Sequence, residues 1–241
     1  FNKIETWKKL ESKLGRISYR NFSIDQYGKI LKDCYNTGDT LYSGAYIMAS
    51  GKSVFGQERK FMNHLMLIDY MMKDHVTKKV VECRKLKELY NTLLVYPTIG
   101  TFLAYQYAID INYSELVNFD EMEFVVAGPG AKAGIRKCFS NPEVYSEEYI
   151  IRYMCEHQKA EFKRLGLDFV TLGGRDLQLI DCQNIFCETD KYSRLKYPDI
   201  LDRNGRTRIK RRYKIKQEKI DYFYPPKWGI NKKIEEVYGI K

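Results

Sequence analysis

No tract in these 241 residues is long and apolar enough to cross a bilayer as a helix, which excludes the helical membrane classes and predicts a soluble globular protein. The chain opens at Phe1 without an initiator Met, and without the cationic stretch and apolar run of a secretory signal. An N-terminally trimmed chain, with a segment missing upstream, is expected. The cysteines (Cys34, Cys83, Cys138, Cys155, Cys182 and Cys187) show neither C-x-x-C spacing nor the density of a disulfide scaffold. A reducing, intracellular setting, cytoplasmic or nuclear, is expected, and no metal: Cys155 with His157, or Cys182 with Cys187, lacks the spacing of a closed tetrahedral zinc module. Nucleotide fingerprints are missing too. Ala49-Ser50-Gly51-Lys52-Ser53 imitates a phosphate loop, but the position five before Gly51 is Tyr46, and Gly44 lies two residues too early. No Rossmann-type glycine pattern, internal repeat or low-complexity tract is present.

What is present is aromatic and basic. The chain carries 20 Tyr and 12 Phe, and its mass of 28.5 kDa allows a large core in one domain or two interlocked lobes. Its net charge of +10 is uneven. Between Arg203 and Lys219, nine cations face only Glu218, so +8 of the excess sits in that short segment. A polyanion is the natural partner of such a field, because each neutralised phosphate releases counterion; the alternative is a solvated tail.

The periodicity predicts a mainly α fold. Ile4, Trp7, Leu10 and Leu14 mark a first helix closed by Gly15, and Ser23 caps a second through Ile24, Tyr27, Ile30, Leu31 and Cys34. A third follows from Gln57 to Lys73. One continuous helix is expected from Thr77 through Val80, Val81, Leu86 and Leu89 to Leu93, and another from Thr101 to Ile111. The glycine turn Gly128-Pro129-Gly130 feeds a helix through Ile135 and Phe139. Its free amides, beside Lys132, suit either an anion or a tight bend between packed helices. Ser146 caps a long amphipathic helix with Tyr149, Ile150, Tyr153, Met154, His157 and Phe162, ending at Gly166, and a further helix runs from about Asp176 to Arg194. The expected organisation is a helical domain over residues 1–200 and a basic, irregular extension over 201–241 packed on it.

The most informative stretch is Leu94-Val95-Tyr96-Pro97-Thr98-Ile99-Gly100-Thr101-Phe102-Leu103-Ala104. It reads as helix, tight turn and helix over about 86–111, the second helix opening on free backbone amides that suit a nucleic-acid phosphate. An ordinary helix connection has the same pattern. The turn resembles the hairpin of the helix-hairpin-helix DNA glycosylases, with Thr98 where that family usually has glycine. The resemblance implies phosphate contacts at Thr98, Gly100 and Thr101. It also implies a catalytic carboxylate at Asp120, twenty positions after Gly100, with Glu123 as its nearest possible partner. As plain sequence, Asp120 is equally a helix cap or surface acid.

Helical spacing places Asp181, Asn184, Glu188 and Lys191 on one face. Such a stripe either lines a pocket or closes into a structural network, since buried amides and acids are costly unless paired. As a pocket, Asp181, Gln183, Asn184, Glu188 and Lys191 suit a pyrimidine edge, with Tyr105, Tyr107 or Tyr192 stacked on the base. Arg194, Arg206, Arg208, Lys210, Arg211 and Arg212 are the candidate phosphate contacts of the basic end.

A longer resemblance spans most of the chain. The runs Phe1 to Trp7, Gly100 to Tyr107, Asp110 to Ser114, Glu121 to Ala131, Asp181 to Arg194, Gly205 to Lys210 and Pro225-Pro226-Lys227-Trp228 look like the helical domain of 5-hydroxymethyluracil DNA kinases. That resemblance implies a place in thymine hypermodification, in systems many of which are phage-borne. Phosphorylating a hydroxymethyl group requires a nucleoside triphosphate, magnesium and a phosphate cradle. No cradle is found, so ATP and magnesium are expected only if the family's kinase activity resides in this chain. The leading expectation is a domain that binds DNA and recognises thymine or 5-hydroxymethyluracil, with a kinase domain or subunit as partner. The alternatives are an active glycosylase using Asp120, and a non-catalytic protein-interaction domain.

Overall fold

The computed structural model describes residues 1–200, 207–209 and 224–238. Among them are eleven α-helices and no strand, so the fold is mainly α. The helices are α1 (Ile4–Leu14), α2 (Ile24–Asn36), α3 (Lys52–Phe55), α4 (Lys60–Lys73), α5 (Val76–Glu82), α6 (Leu86–Leu94), α7 (Thr101–Asn112), α8 (Pro129–Cys138), α9 (Glu147–Arg164), α10 (Leu179–Lys196) and α11 (Asn231–Tyr238). The chain divides into two compact units, one of residues 1–83 and 91–104, the other of 84–90 and 105–241. Helices α6 and α7 each contribute residues to both.

In the first unit, α1, α2 and α4 enclose a core of Leu10, Tyr27, Leu31, Leu41, Phe61 and Leu65. The local signals operate as expected: Gly15 ends α1 at φ 71°, and the Ser23 hydroxyl accepts from the Gln26 amide at the start of α2. The buried side of α1 is Thr6 and Leu10, however, while Ile4 is largely exposed. The loop before α4 is held by amide and imidazole side chains. Asn63 bonds Ser50 O, Gln57 O and the Gln57 amide, and His64 bridges the Tyr42 hydroxyl (2.8 Å) and Ala49 O (2.9 Å).

The single helix expected from Thr77 to Leu93 is two. It breaks at Cys83-Arg84-Lys85, because two carboxylates cap a new start: Glu88, in the first turn of α6, takes the Arg84 amide (2.8 Å), and the distant Glu123 takes the Leu86 amide (3.1 Å).

The second unit is organised by α8, α9 and α10. Helices α8 and α10 approach so closely that a Cβ on Gly134 would lie 1.9 Å from the Phe186 carbonyl oxygen, and one on Gly130 would lie 2.4 Å from Cys187 Sγ. At Gly134 the obstacle is backbone, so only glycine fits there, whereas at Gly130 the Cys187 side chain would have to turn away. Helix α9 starts on the Ser146 hydroxyl, which accepts from Tyr149 N, and it buries Ile150, Ile151, Cys155 and Gln158. The expected apolar face is thereby corrected: Tyr149, Tyr153 and His157 point to solvent.

Candidate functional site

The turn between α6 and α7 has the form of a type II turn. The Ile99 amide donates to Tyr96 O (3.3 Å), Pro97 holds the second position, and Thr98 takes the third at φ 68°. That third position favours glycine, and a β-branched residue there is strained. The Thr98 hydroxyl oxygen is buried without a hydrogen-bond partner. Directly after it, Gly100 and Thr101 are exposed, and the Gly100 carbonyl already accepts from Ala104 N (2.9 Å). The first amides of α7 therefore face outward with no intrahelical acceptor.

Asp120 and Glu123 lie in the second unit, in the turn that follows α7. The exposed Asp120 carboxylate accepts from the Met122 amide (2.8 Å), an Asx turn, and the Glu123 carboxylate is spent on the start of α6. The two side chains thus serve two different backbone amides.

Beside them, Arg175 sits at the centre of a closed polar network. Its guanidinium pairs with Glu121 (2.6 Å) and Asp181 (3.2 Å) and lies 3.9 Å above the Trp228 ring. The Trp228 indole N–H donates to Glu121 (2.8 Å), and Tyr113 meets the indole edge-on. Lys227 donates to Asn112 Oδ1 and Val117 O, and burial lowers its pKa. These contacts clamp residues 224–238 against α7 and the start of α10. None of Glu121, Arg175, Lys227 and Trp228 was expected as a site residue. Apart from Arg175 with Asp181, six residues on, their partners stand 54 and more than 100 positions apart, so no local periodicity shows them; the signal available was the Pro225-Pro226-Lys227-Trp228 run.

The expected base-reading set is split by this packing. Asp181 belongs to the Arg175 network and to the capping box of α10, through the Gln178 amide. Gln183 is buried, accepting from the Gly128 amide and donating to Asn184. Tyr105 is wholly buried with its hydroxyl toward Phe124 O, so no ring face is open to a base, and burial drives its pKa upward. Asn184, Glu188 and Lys191 retain contact with solvent, the last two paired with each other.

The anion seat expected at Gly128 is filled from within: Ala127 N donates to Glu148 (2.9 Å) and Gly128 N to Gln183 (3.3 Å). Arg194 is likewise engaged internally, with Asp190 (2.9 Å) and the Arg208 carbonyl (2.7 Å). Asp190 is 1% exposed and also pairs with Lys137 (2.8 Å), an interior ion triad that welds α8 to α10. Arg208 is exposed, whereas Arg206, Lys210, Arg211 and Arg212 lie outside the described residues. Among the described residues, no three His, Cys, Asp or Glu side chains converge to hold a metal ion, and no helix is long and apolar enough to cross a membrane.

A family model described as "5-hmdU DNA kinase, helical domain" matches residues 1–202. The chain belongs to this family. It is similar to a protein of Bacillus phage SP10 named 5-hmdU DNA kinase, 25% identical over 171 residues, which cover 65% of this chain and 27% of that relative. The chain therefore spans well under half the length of the curated relative it matches. No solved structure matches it.

Proposed function

We propose that this helical domain binds DNA and presents 5-hydroxymethyluracil, or the thymine it replaces, to a phosphoryl-transferring domain or subunit. The observation that carries the reading is the exposed start of α7 behind the Pro97 to Gly100 turn, where free amides and the positive helix end suit one phosphate. This turn is read as a helix-hairpin-helix phosphate grip. The basic 203–219 segment would add sequence-independent phosphate contacts, and Asn184, Glu188 and Lys191 are the remaining candidates for touching the base. Phosphoryl transfer is assigned elsewhere, because Lys52 of the loop-like Gly51-Lys52-Ser53 run is paired with Glu58, and Gly51 merely starts the one-turn helix α3.

The test is Gly100→Asp. A Cβ at Gly100 meets nothing within 4 Å, and aspartate is a favoured residue before a helix, so the fold tolerates it. A carboxylate about 6 Å from a phosphate costs roughly 0.7 to 3 kcal/mol over the range of effective dielectric from water to protein surface. Fluorescence anisotropy on duplex DNA should show binding about 3- to 100-fold weaker, with thermal stability retained. Unchanged affinity refutes the hairpin grip. Incubating the chain with 5-hydroxymethyluracil duplex and ATP, with mass analysis of the nucleosides, tests the rest: an ATP-dependent mass gain would place phosphoryl transfer in this chain, and released free base would reveal excision.

A further inference from the structure

Four aromatic side chains climb one exposed edge of α9 in unbroken series. Tyr145, just before the helix, stacks on Tyr149 with ring centres 4.8 Å apart; Tyr149 stacks on Tyr153 at 6.3 Å, and Tyr153 on His157 at 4.0 Å. Each pair lies within 28° of parallel. The residues recur every fourth position, so along the helix their Cα atoms rise about 6 Å per step while the rings lean together. The three tyrosines are 56%, 49% and 42% exposed. Core burial does not account for them, since the inner side of α9 is filled by Ile150, Ile151, Cys155 and Gln158.

The charges on this helix are compensated. Glu147 faces Lys132 and Arg136, Glu148 takes the Ala127 amide, Glu156 meets Arg152, and Glu161 meets Arg164. A phosphate chain approaching the row finds each α9 carboxylate already engaged. His157 Nδ1 is tied to the Tyr153 carbonyl (2.8 Å), which orients the ring and leaves Nε2 at its outer edge.

We propose that this row is a stacking platform for unpaired DNA bases, with the Tyr149–Tyr153 interval opening to receive one. The inference rests on the DNA-binding reading above and adds a second contact surface to it. Two rings sandwich a third when their centres stand about 7 Å apart, twice an ordinary carbon contact. At 6.3 Å between ring centres this interval is the widest of the three, and the rapid rotamer motion of exposed side chains opens it further. Flat ring faces accept any base, and phenol hydroxyls at the edges suit phosphate or sugar oxygens.

The experiment compares Tyr149→Ala/Tyr153→Ala with Tyr149→Phe/Tyr153→Phe, each checked by circular dichroism and sedimentation. Binding is measured by anisotropy on a labelled single-stranded oligonucleotide and on a fully paired duplex. The alanine pair should weaken single-strand binding about tenfold or more and duplex binding less than about twofold, while the phenylalanine pair retains both. Wild-type single-strand affinity in the alanine pair overturns the proposal, as does equal loss on both DNAs. A loss of self-association in the alanine pair with DNA binding intact would instead identify the row as a protein interface. If the unaltered chain binds neither DNA, the broader DNA-binding reading falls as well.

Discussion

Thr98→Gly is expected to make the protein more stable, and the structure supplies each contribution. Threonine at φ 68° stores about 1 to 2 kcal/mol of left-handed strain, which glycine releases. Removing its buried, unpartnered hydroxyl recovers roughly another 1 kcal/mol or more of desolvation. Against this stand the γ-methyl contact beside Gly51, about 0.8 kcal/mol, and the extra freedom of an unfolded glycine, about 0.5 to 1 kcal/mol. The balance is about 1 kcal/mol in favour of glycine, a rise of roughly 2 to 4 °C in Tm for a chain of this size. Thr98→Ala separates the contributions, because it removes the hydroxyl and the methyl but keeps a Cβ in the left-handed conformation. Calorimetry or thermal circular dichroism on the three proteins reads the order. Glycine should lie above alanine; a glycine variant less stable than both the alanine variant and the parent would refute the account of a strained turn. Under the proposed phosphate grip, greater backbone accessibility should also leave DNA affinity equal or higher.

Asp190→Asn should cost about 3 to 5 kcal/mol, because it leaves Lys137 and Arg194 as interior charges without their shared carboxylate; a shift in denaturant midpoint corresponding to less than about 1 kcal/mol would contradict that. His64 sets an acid limit on the first unit. Burial holds its pKa below the ordinary value, so the folded ring is neutral at pH 7, with Nε2 donating to Ala49 O and Nδ1 left to accept from Tyr42. The unfolded chain therefore binds the proton more readily, and stability is fully present above about pH 6.5 and falls as the pH drops toward the lower folded value. Denaturation midpoints between pH 7.5 and 5.5 should show this slope, and His64→Gln should flatten it.

The legibility of the fold followed the range of the interactions. Ser23, Ser146, Gly15 and Gly166 act within one helical turn of themselves, and each sits at the helix end its sequence position indicated. The break before α6 was invisible because half of its cap, Glu123, arrives 37 residues later. Of the face expected for α9, Ile150, Met154 and Phe162 do turn inward, but Tyr149, Tyr153 and His157 do not, because tyrosine and histidine are amphipathic and fit either side of a helical wheel. Asp120, Gly100 and Thr101 are exposed, whereas Tyr105, Gln183 and Arg194 are drawn into packing that no linear pattern reveals.

By itself the sequence determined the helical class, the turn at Pro97 to Gly100, the concentration of positive charge near the C-terminus and, through its longer motifs, the family. Those properties depend on neighbours within a few residues or on composition alone. Tertiary structure decided which polar groups remain free. Burial makes an unpaired charge or amide costly, and the long-range partners of Arg175, Asp190 and Gln183 come from distant segments whose approach is set by glycine-close helix packing and by Trp228.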